Sequence, residues 1–151
     1  MDTLSRRTLL TLSGMAALTG GTTSLANAAP LTAAEQANAK LVTDFCAAWR
    51  KHDVDVLMPY LADNISYRIT ETTPAIVGRG TFHDRIKDIL GRMTTIEFAV
   101  VDTLAKGPIV LNERHDTLVS PQRTRLYHCV GMFFLADGKI VEWTDYIISQ
   151  S

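Results

Sequence analysis

Apolar positions after residue 28 first recur at intervals of three and four. From Thr32 to His52 this spacing predicts an amphipathic helix that packs one face on a core, and Thr32 with Glu35 forms the Thr-x-x-Glu capping box that opens such helices. Two further helices are predicted, a short one that begins at its cap Asp53 and runs through Leu61, and one from Thr81 to Met93. Helices therefore dominate the first half of the chain.

Strand patterns take over in the second half. The first strand is predicted earlier, at Ile65 to Thr70, where Ile65, Tyr67 and Ile69 share one face, followed by a loop up to Gly78. After Gly91 the apolar period is two, which predicts four more strands: Ile96 to Leu104, Ile109 to Val119, Leu126 to Leu135 and Ile140 to Ser149. The links between them are short and turn-like, Asp137-Gly138 above all, so neighbouring strands run antiparallel. The sequence predicts an α+β domain whose helices pack on one face of a sheet.

The first 28 residues have a different pattern. Ser5 to Leu10 (SRRTLL) is similar to a twin-arginine export signal, and Ala26-Asn27-Ala28 fits the small-x-small pattern of a cleavage site. The apolar run between them is interrupted by Gly and Thr and is shorter than the ~20 residues of a membrane span. We therefore expect a cleaved signal in residues 1–28, one domain in residues 29–151, and a bacterial protein that is exported to the periplasm or secreted.

Composition and charge limit the classes of molecule that the protein is expected to bind. The chain of 151 residues is 46% hydrophobic with a formal net charge of −1, and no basic run suggests binding to nucleic acid or to an anionic membrane. Cys46 and Cys129 could form a disulfide in an oxidising compartment or remain two buried thiols. Two Cys and four scattered His match no zinc spacing, so no metal site is expected. A small apolar molecule is the expected partner.

Three charged residues lie among apolar neighbours in predicted strands. In Asn112 to Leu118 (NERHDTL), Arg114 and Asp116 point the same way because side chains alternate along a strand. Asp145 shares its face with Trp143 and other apolar residues, and an unpaired carboxylate there would cost about 3 kcal/mol or more. If the sheet is strongly curved, Arg114 can join Asp116 and Asp145 in one ion trio. Such a trio can hold one carboxyl group protonated and the other ionised, as acid/base catalysis requires.

Several motifs together resemble the limonene-1,2-epoxide hydrolase family, within the SnoaL-like or NTF2-like superfamily. They are, in order, Ser66-Tyr67, Gly78-Arg79, the ERHD of residues 113–116 and the DGKIVEWTDY of residues 137–146. The resemblance implies a cone-shaped fold in which a curved, mostly antiparallel sheet and about three N-terminal helices enclose an apolar pocket. It also suggests a homodimer.

The resemblance implies cofactor-free hydrolysis of a small terpene- or steroid-like epoxide by direct attack of water. Asp145 would be the base, Asp116 the acid and Arg114 the bridge between them, while Tyr67 would help to hold the water. The family has a water-holding Asn two positions after the Tyr, where this chain has Ile69, or Thr70 if the loop is one residue longer. Asn112 is a candidate replacement.

Two other functions are compatible with the same residues. In a non-catalytic small-molecule-binding module the ion trio would be structural, and Ile69 favours this alternative. In a proton-transfer enzyme similar to SnoaL cyclases or ketosteroid isomerases, an Asp would act as base without hydrolysis. Fold alone does not separate these functions.

Overall fold

The structure is a computed structural model that describes residues 30–151. The predicted export signal, residues 1–28, lies outside the described residues and stays a prediction. Within residues 30–151, no helix is long and apolar enough to cross a membrane.

In the part of the chain that the structure describes, two α-helices and three short 3₁₀ turns form the helical layer. Helix α1 is Ala33–Ala48, and its capping box is complete: Thr32 Oγ1 accepts from the backbone N–H of Glu35, and Glu35 Oε2 accepts from that of Thr32. The chain continues in a 3₁₀ turn, Trp49–Lys51. Helix α2, Arg79–Leu90, begins two residues before its predicted start and ends before Gly91. The amphipathic pattern thus located both α-helices.

The predicted second helix is instead two 3₁₀ turns, Val54–Val56 and Met58–Tyr60. Asp53 caps the first turn, as expected, with its side chain accepting from Asp55 N–H. A segment this short forms few helical hydrogen bonds, and Pro59 cannot donate one. The chain therefore leaves the helical conformation and enters a strand at Leu61.

The described residues also contain six strands, which form one sheet. They are β1 (Leu61–Arg68), β2 (Ile76–Val77), β3 (Thr95–Lys106), β4 (Ile109–Ser120), β5 (Arg123–Ala136) and β6 (Lys139–Gln150), in the spatial order β2-β1-β6-β5-β4-β3. All neighbours are antiparallel except β1 and β6. β2, which pairs with β1 in the predicted loop, is the strand that the sequence pattern missed. Asp137 and Gly138, both with positive φ, make the expected two-residue hairpin between β5 and β6.

The curved sheet wraps one face around the helices, and aromatic side chains fill the contact. Phe45 of α1 meets Trp143 of β6 edge-on, with ring centroids 5.3 Å apart. Trp143 also stacks on Phe133 of β5 at 5.4 Å and on Tyr67 of β1 at 3.9 Å. The α+β architecture and the curved, mostly antiparallel sheet predicted from the sequence are confirmed. The core sits on the concave face, which is also where the charged residues lie.

Candidate active site

The concave face of β4 carries the charged residues in the alternation that the sequence predicts. The alternate residues Asn112, Arg114 and Asp116 are buried. Leu111, just before them, and His115, between Arg114 and Asp116, are exposed. Asp145 is buried on the concave face of β6. The alternation of side chains along the strands thus correctly predicted that Arg114, Asp116 and Asp145 all face the interior.

Arg114 joins the two carboxylates. Its Nε donates to both oxygens of Asp116, at 2.9 and 3.2 Å, and its Nη2 donates to Asp145 Oδ1 at 2.6 Å. The guanidinium is fully buried and lies over the ring of Phe98, 4.7 Å from its centroid. The predicted contact between Arg114 and both aspartates is present.

Gly131 makes this contact possible. Strand β5 lies between β4 and β6, so the side chain of Arg114 has to pass over it to reach Asp145. Gly131 pairs with Asp145 in the sheet, and a Cβ atom added there would lie 2.3 Å from Arg114 Nη1 and 3.1 Å from Asp145 Oδ1. The alternation of apolar and polar positions did not reveal this role of Gly131. A glycine inside an otherwise apolar strand was the available signal, because it often marks a close approach.

Asp145 is held from one side only. Its Oδ1 accepts from Arg114 and from Trp143 Nε1 at 2.7 Å, whereas Oδ2 accepts no hydrogen bond within residues 30–151. Trp143 precedes Asp145 by two positions, so both side chains lie on the same face of β6. Asp145 also lines a cavity of about 390 Å³, the main cavity, so Oδ2 is the oxygen available to a water molecule.

Both cysteines are buried free thiols, so the disulfide alternative is wrong for this structure. Cys129 Sγ donates to Asp116 Oδ2 at 3.2 Å, and Cys46 Sγ donates to Asn112 Oδ1 at 3.4 Å. The amide nitrogen of Asn112 donates to Thr103 at 2.8 Å. Asn112 is therefore occupied in the core and does not line the main cavity, so its candidacy as a water-holding residue is wrong.

Burial shifts the protonation equilibria of the trio. It raises the pKa of Asp145 to about 6 although Arg114 and Trp143 favour the ionised form, and it also raises the pKa of Asp116 against the opposing effect of Arg114. Burial disfavours the charged guanidinium of Arg114, but the two aspartates outweigh it and hold its pKa well above the usual value. Two carboxylates and one guanidinium carry a net charge of −1, so uptake of one proton makes the buried cluster neutral. The pair is thus suited to sharing one proton.

The main cavity, about 390 Å³, opens from Asp116 and Asp145. Tyr67, Ile69 and Thr70 all line it. Burial raises the pKa of Tyr67 well above its usual value, so its hydroxyl stays protonated and can donate. Most of the remaining wall is apolar: Ile86, Ile89, Met93, Ile96, Phe98, Leu118 and Ile147. If Ile69 occupies the position of the water-holding Asn of the family, the side chain at that position is apolar and faces the cavity.

No metal site is evident in the part of the chain that the structure describes, since three or more potential ligands nowhere come together there. The groups that do come together are two carboxylates, an arginine and the thiol bonded to Asp116, with Tyr67 on the wall of the same cavity. This set is suited to proton transfer.

Comparison with known proteins agrees with this geometry. Residues 42–143 match the family described as SnoaL-like domain. The chain belongs to this SnoaL-like family. Among solved structures, an LEH-like epoxide hydrolase of M. tuberculosis is 26% identical and has a TM-score of 0.69, over 75% of this chain and 84% of that one. The predicted resemblance to this group of hydrolases is therefore confirmed.

More distant SnoaL-like structures share the fold. A protein of Jannaschia sp. CCS1 assigned as a SnoaL-like polyketide cyclase is 15% identical, with a TM-score of 0.70 over 80% of this chain and 92% of that one. A Catenulispora acidiphila protein with a ketosteroid isomerase-like fold is 15% identical, with a TM-score of 0.65 over 71% and 84%. At this identity, the two structures support the architecture alone.

Proposed function

We propose that the protein is a cofactor-free epoxide hydrolase that opens a small, largely apolar epoxide by direct attack of water. The observation that carries the proposal is the single guanidinium that bonds both Asp116 and Asp145 at one cavity. The 26% identity to an LEH-like epoxide hydrolase supports it. Tyr67, which lines the same cavity, is the proposed donor or acceptor that helps to hold the water.

The reaction requires two proton transfers. Asp145 Oδ2 takes a proton from water while the water oxygen attacks an epoxide carbon, and Asp116 gives its proton to the oxygen released when the C–O bond breaks. A pKa of about 6 leaves Asp145 largely ionised at pH 7 and makes it a stronger base than an ordinary aspartate. The proton that Asp145 has gained then has to return to Asp116 before the next turnover. The diol leaves without a covalent bond to the protein at any step.

Turnover of a panel of cyclic epoxides tests the proposal. We expect diol from the wild type and a loss of about 10³-fold or more in kcat/KM for Asp116→Asn and for Asp145→Asn, because each substitution removes one proton-transferring group. Circular dichroism of both variants serves to check that they are folded. Wild type that converts no epoxide in the panel, or variants that retain near wild-type rates, would refute the proposal.

A non-catalytic binding module is the second candidate, and Ile69 favours it. An apolar side chain at the cavity wall cannot hydrogen-bond a water molecule, and loss of one positioning contact commonly lowers a rate by tens- to hundreds-fold. Binding of apolar ligands without conversion of any epoxide would support this candidate.

Export and self-association complete the proposal. We propose that residues 1–28 direct the chain out of the cytoplasm and are removed after Ala28, which N-terminal sequencing of the mature protein tests. We also propose a homodimer formed through the convex face of the sheet, where Leu104 and Leu111 pair across β3 and β4 and are both exposed. Light scattering should give a molar mass twice that of the protomer. In Leu104→Asp the measured mass should fall to that of one protomer.

A further inference from the structure

The main cavity does not end at the two carboxylates. Its lining also includes four polar or charged residues, Thr70, Arg125, Tyr127 and Gln150, of which Tyr127 lies opposite Asp116 in the sheet. A second concavity of about 500 Å³ adjoins it at three shared lining residues, Met93, Leu118 and Arg125. The cavity that Asp116 and Asp145 line thus adjoins a polar opening.

This opening is basic. Arg92 and Arg123 line the second concavity with Arg125, and no acidic residue does. Arg92 is bonded to Asp88 at 2.7 Å, but neither Arg123 nor Arg125 has a carboxylate partner in the part of the chain that the structure describes. Arg125 is only half-exposed, so its charge is less hydrated than that of a free surface arginine. A planar guanidinium that is partly buried and has no carboxylate partner favours binding of a ligand carboxylate, with which it can form two hydrogen bonds.

Strand β5 connects the two ends of the cavity. On its concave face Arg125, Tyr127, Cys129 and Gly131 follow at every second position. Tyr127 pairs with Asp116 and Gly131 pairs with Asp145, so the Cα of Arg125 lies ~7 Å along the strand from the first pair and ~20 Å from the second. A ligand with an apolar body can therefore reach both Arg125 and the carboxylates.

We propose that the natural substrate is an apolar molecule with a carboxylate at the end remote from its epoxide, and that Arg125 is the residue that selects this carboxylate. The epoxide part rests on the function proposed above, whereas the recognition of the carboxylate does not. The proposal replaces the neutral terpene or steroid of the sequence-based expectation with an amphipathic acid. The substrate would enter with its apolar end first, towards Asp145.

Binding of decanoate, compared with its uncharged analogue decanamide, tests the role of Arg125. Trp49 and Trp143 are the two tryptophans of the chain, Trp49 lines the cavity and Trp143 contacts Asp145, so tryptophan fluorescence reports occupancy. We expect the wild type to bind decanoate about tenfold or more tightly than decanamide at pH 8. Arg125→Gln should raise the Kd for decanoate about tenfold and leave the Kd for decanamide unchanged. Arg85→Gln removes the same charge from an exposed position of α2 outside both cavities, and should change neither Kd.

Three results would overturn the proposal: no binding of decanoate to the wild type, equal Kd values for the acid and the amide, or equal losses in the two arginine variants. Denaturation curves serve to check that both variants are as stable as the wild type. The outcome is independent of turnover. If no epoxide is converted but decanoate binding depends on Arg125, the hydrolase proposal fails and the carboxylate site stands.

Discussion

The guanidinium of Arg114 lies in the space that a side chain at residue 131 would need. Only because that residue is Gly131 can Arg114 cross β5 and bond Asp145 on the far side of it. The link between the two carboxylates thus depends on a missing side chain. A single methyl group should break it.

Gly131→Ala is therefore expected to separate the trio. The new Cβ, 2.3 Å from Arg114 Nη1, has to displace the guanidinium, and we predict a loss of about 100-fold or more in kcat/KM with a decrease of about 1–3 kcal/mol in the free energy of unfolding. Gly80→Ala is the matched control, because nothing lies within 4 Å of a Cβ there and alanine favours the surrounding helix. Equal behaviour of the two variants would show that the crossing at Gly131 is unimportant.

Sequence analysis predicted Arg114, Asp116 and Asp145 because alternation along a strand reveals which face is buried, and a charged residue on that face needs a partner. It missed Gly131 because that role depends on β5 lying between β4 and β6, which requires strand order and register. The bonding of Asn112 to Thr103 likewise depends on the pairing of β3 with β4. The alternation of buried and exposed residues is visible within a single strand, whereas the order of strands in the sheet is not.

Removal of the guanidinium should destabilise the fold. Arg114→Met leaves two buried carboxylates without their cation, and we expect a loss of about 3–5 kcal/mol in the free energy of unfolding at pH 7. The loss should be smaller near pH 4.5, where both acids can take up protons. Arg50→Met is the control, since its ion pair with Glu97 is exposed and should contribute less than about 1 kcal/mol. Urea denaturation at both pH values measures these differences, and a loss at Arg114 no larger than that at Arg50 would contradict the account.

The raised pKa of Asp145 predicts two opposite responses to acid. Hydrolysis, measured as kcat/KM, should fall as pH decreases through about 6, because the base becomes protonated. Stability should change the other way. Between the unfolded value of 3.8 and about 6 the folded state binds the proton more tightly, so this group's contribution to the free energy of unfolding increases as pH falls through that window. Asp145→Asn should lack this contribution; an identical pH dependence of stability in wild type and variant would argue against a raised pKa.

Cys129 is expected to position Asp116 through its thiol. Loss of the donor in Cys129→Ala should raise the pKa of Asp116 and shift the pH profile of kcat/KM, whereas Cys129→Ser, which keeps a donor, should restore the wild-type profile. Cys46→Ala removes the other buried thiol, which bonds Asn112 away from the cavity, and should leave the profile unchanged. Coincident pH profiles for all three variants would exclude this role of Cys129.

Single-turnover hydrolysis in H₂¹⁸O, with enzyme in excess over epoxide, tests direct attack by water most closely. If Asp145 activates water, the diol of this first turnover contains one ¹⁸O atom and the protein contains none. Unlabelled diol in the first turnover, with one ¹⁸O atom incorporated into an aspartate carboxyl group of the protein, would instead reveal an ester intermediate and contradict the account.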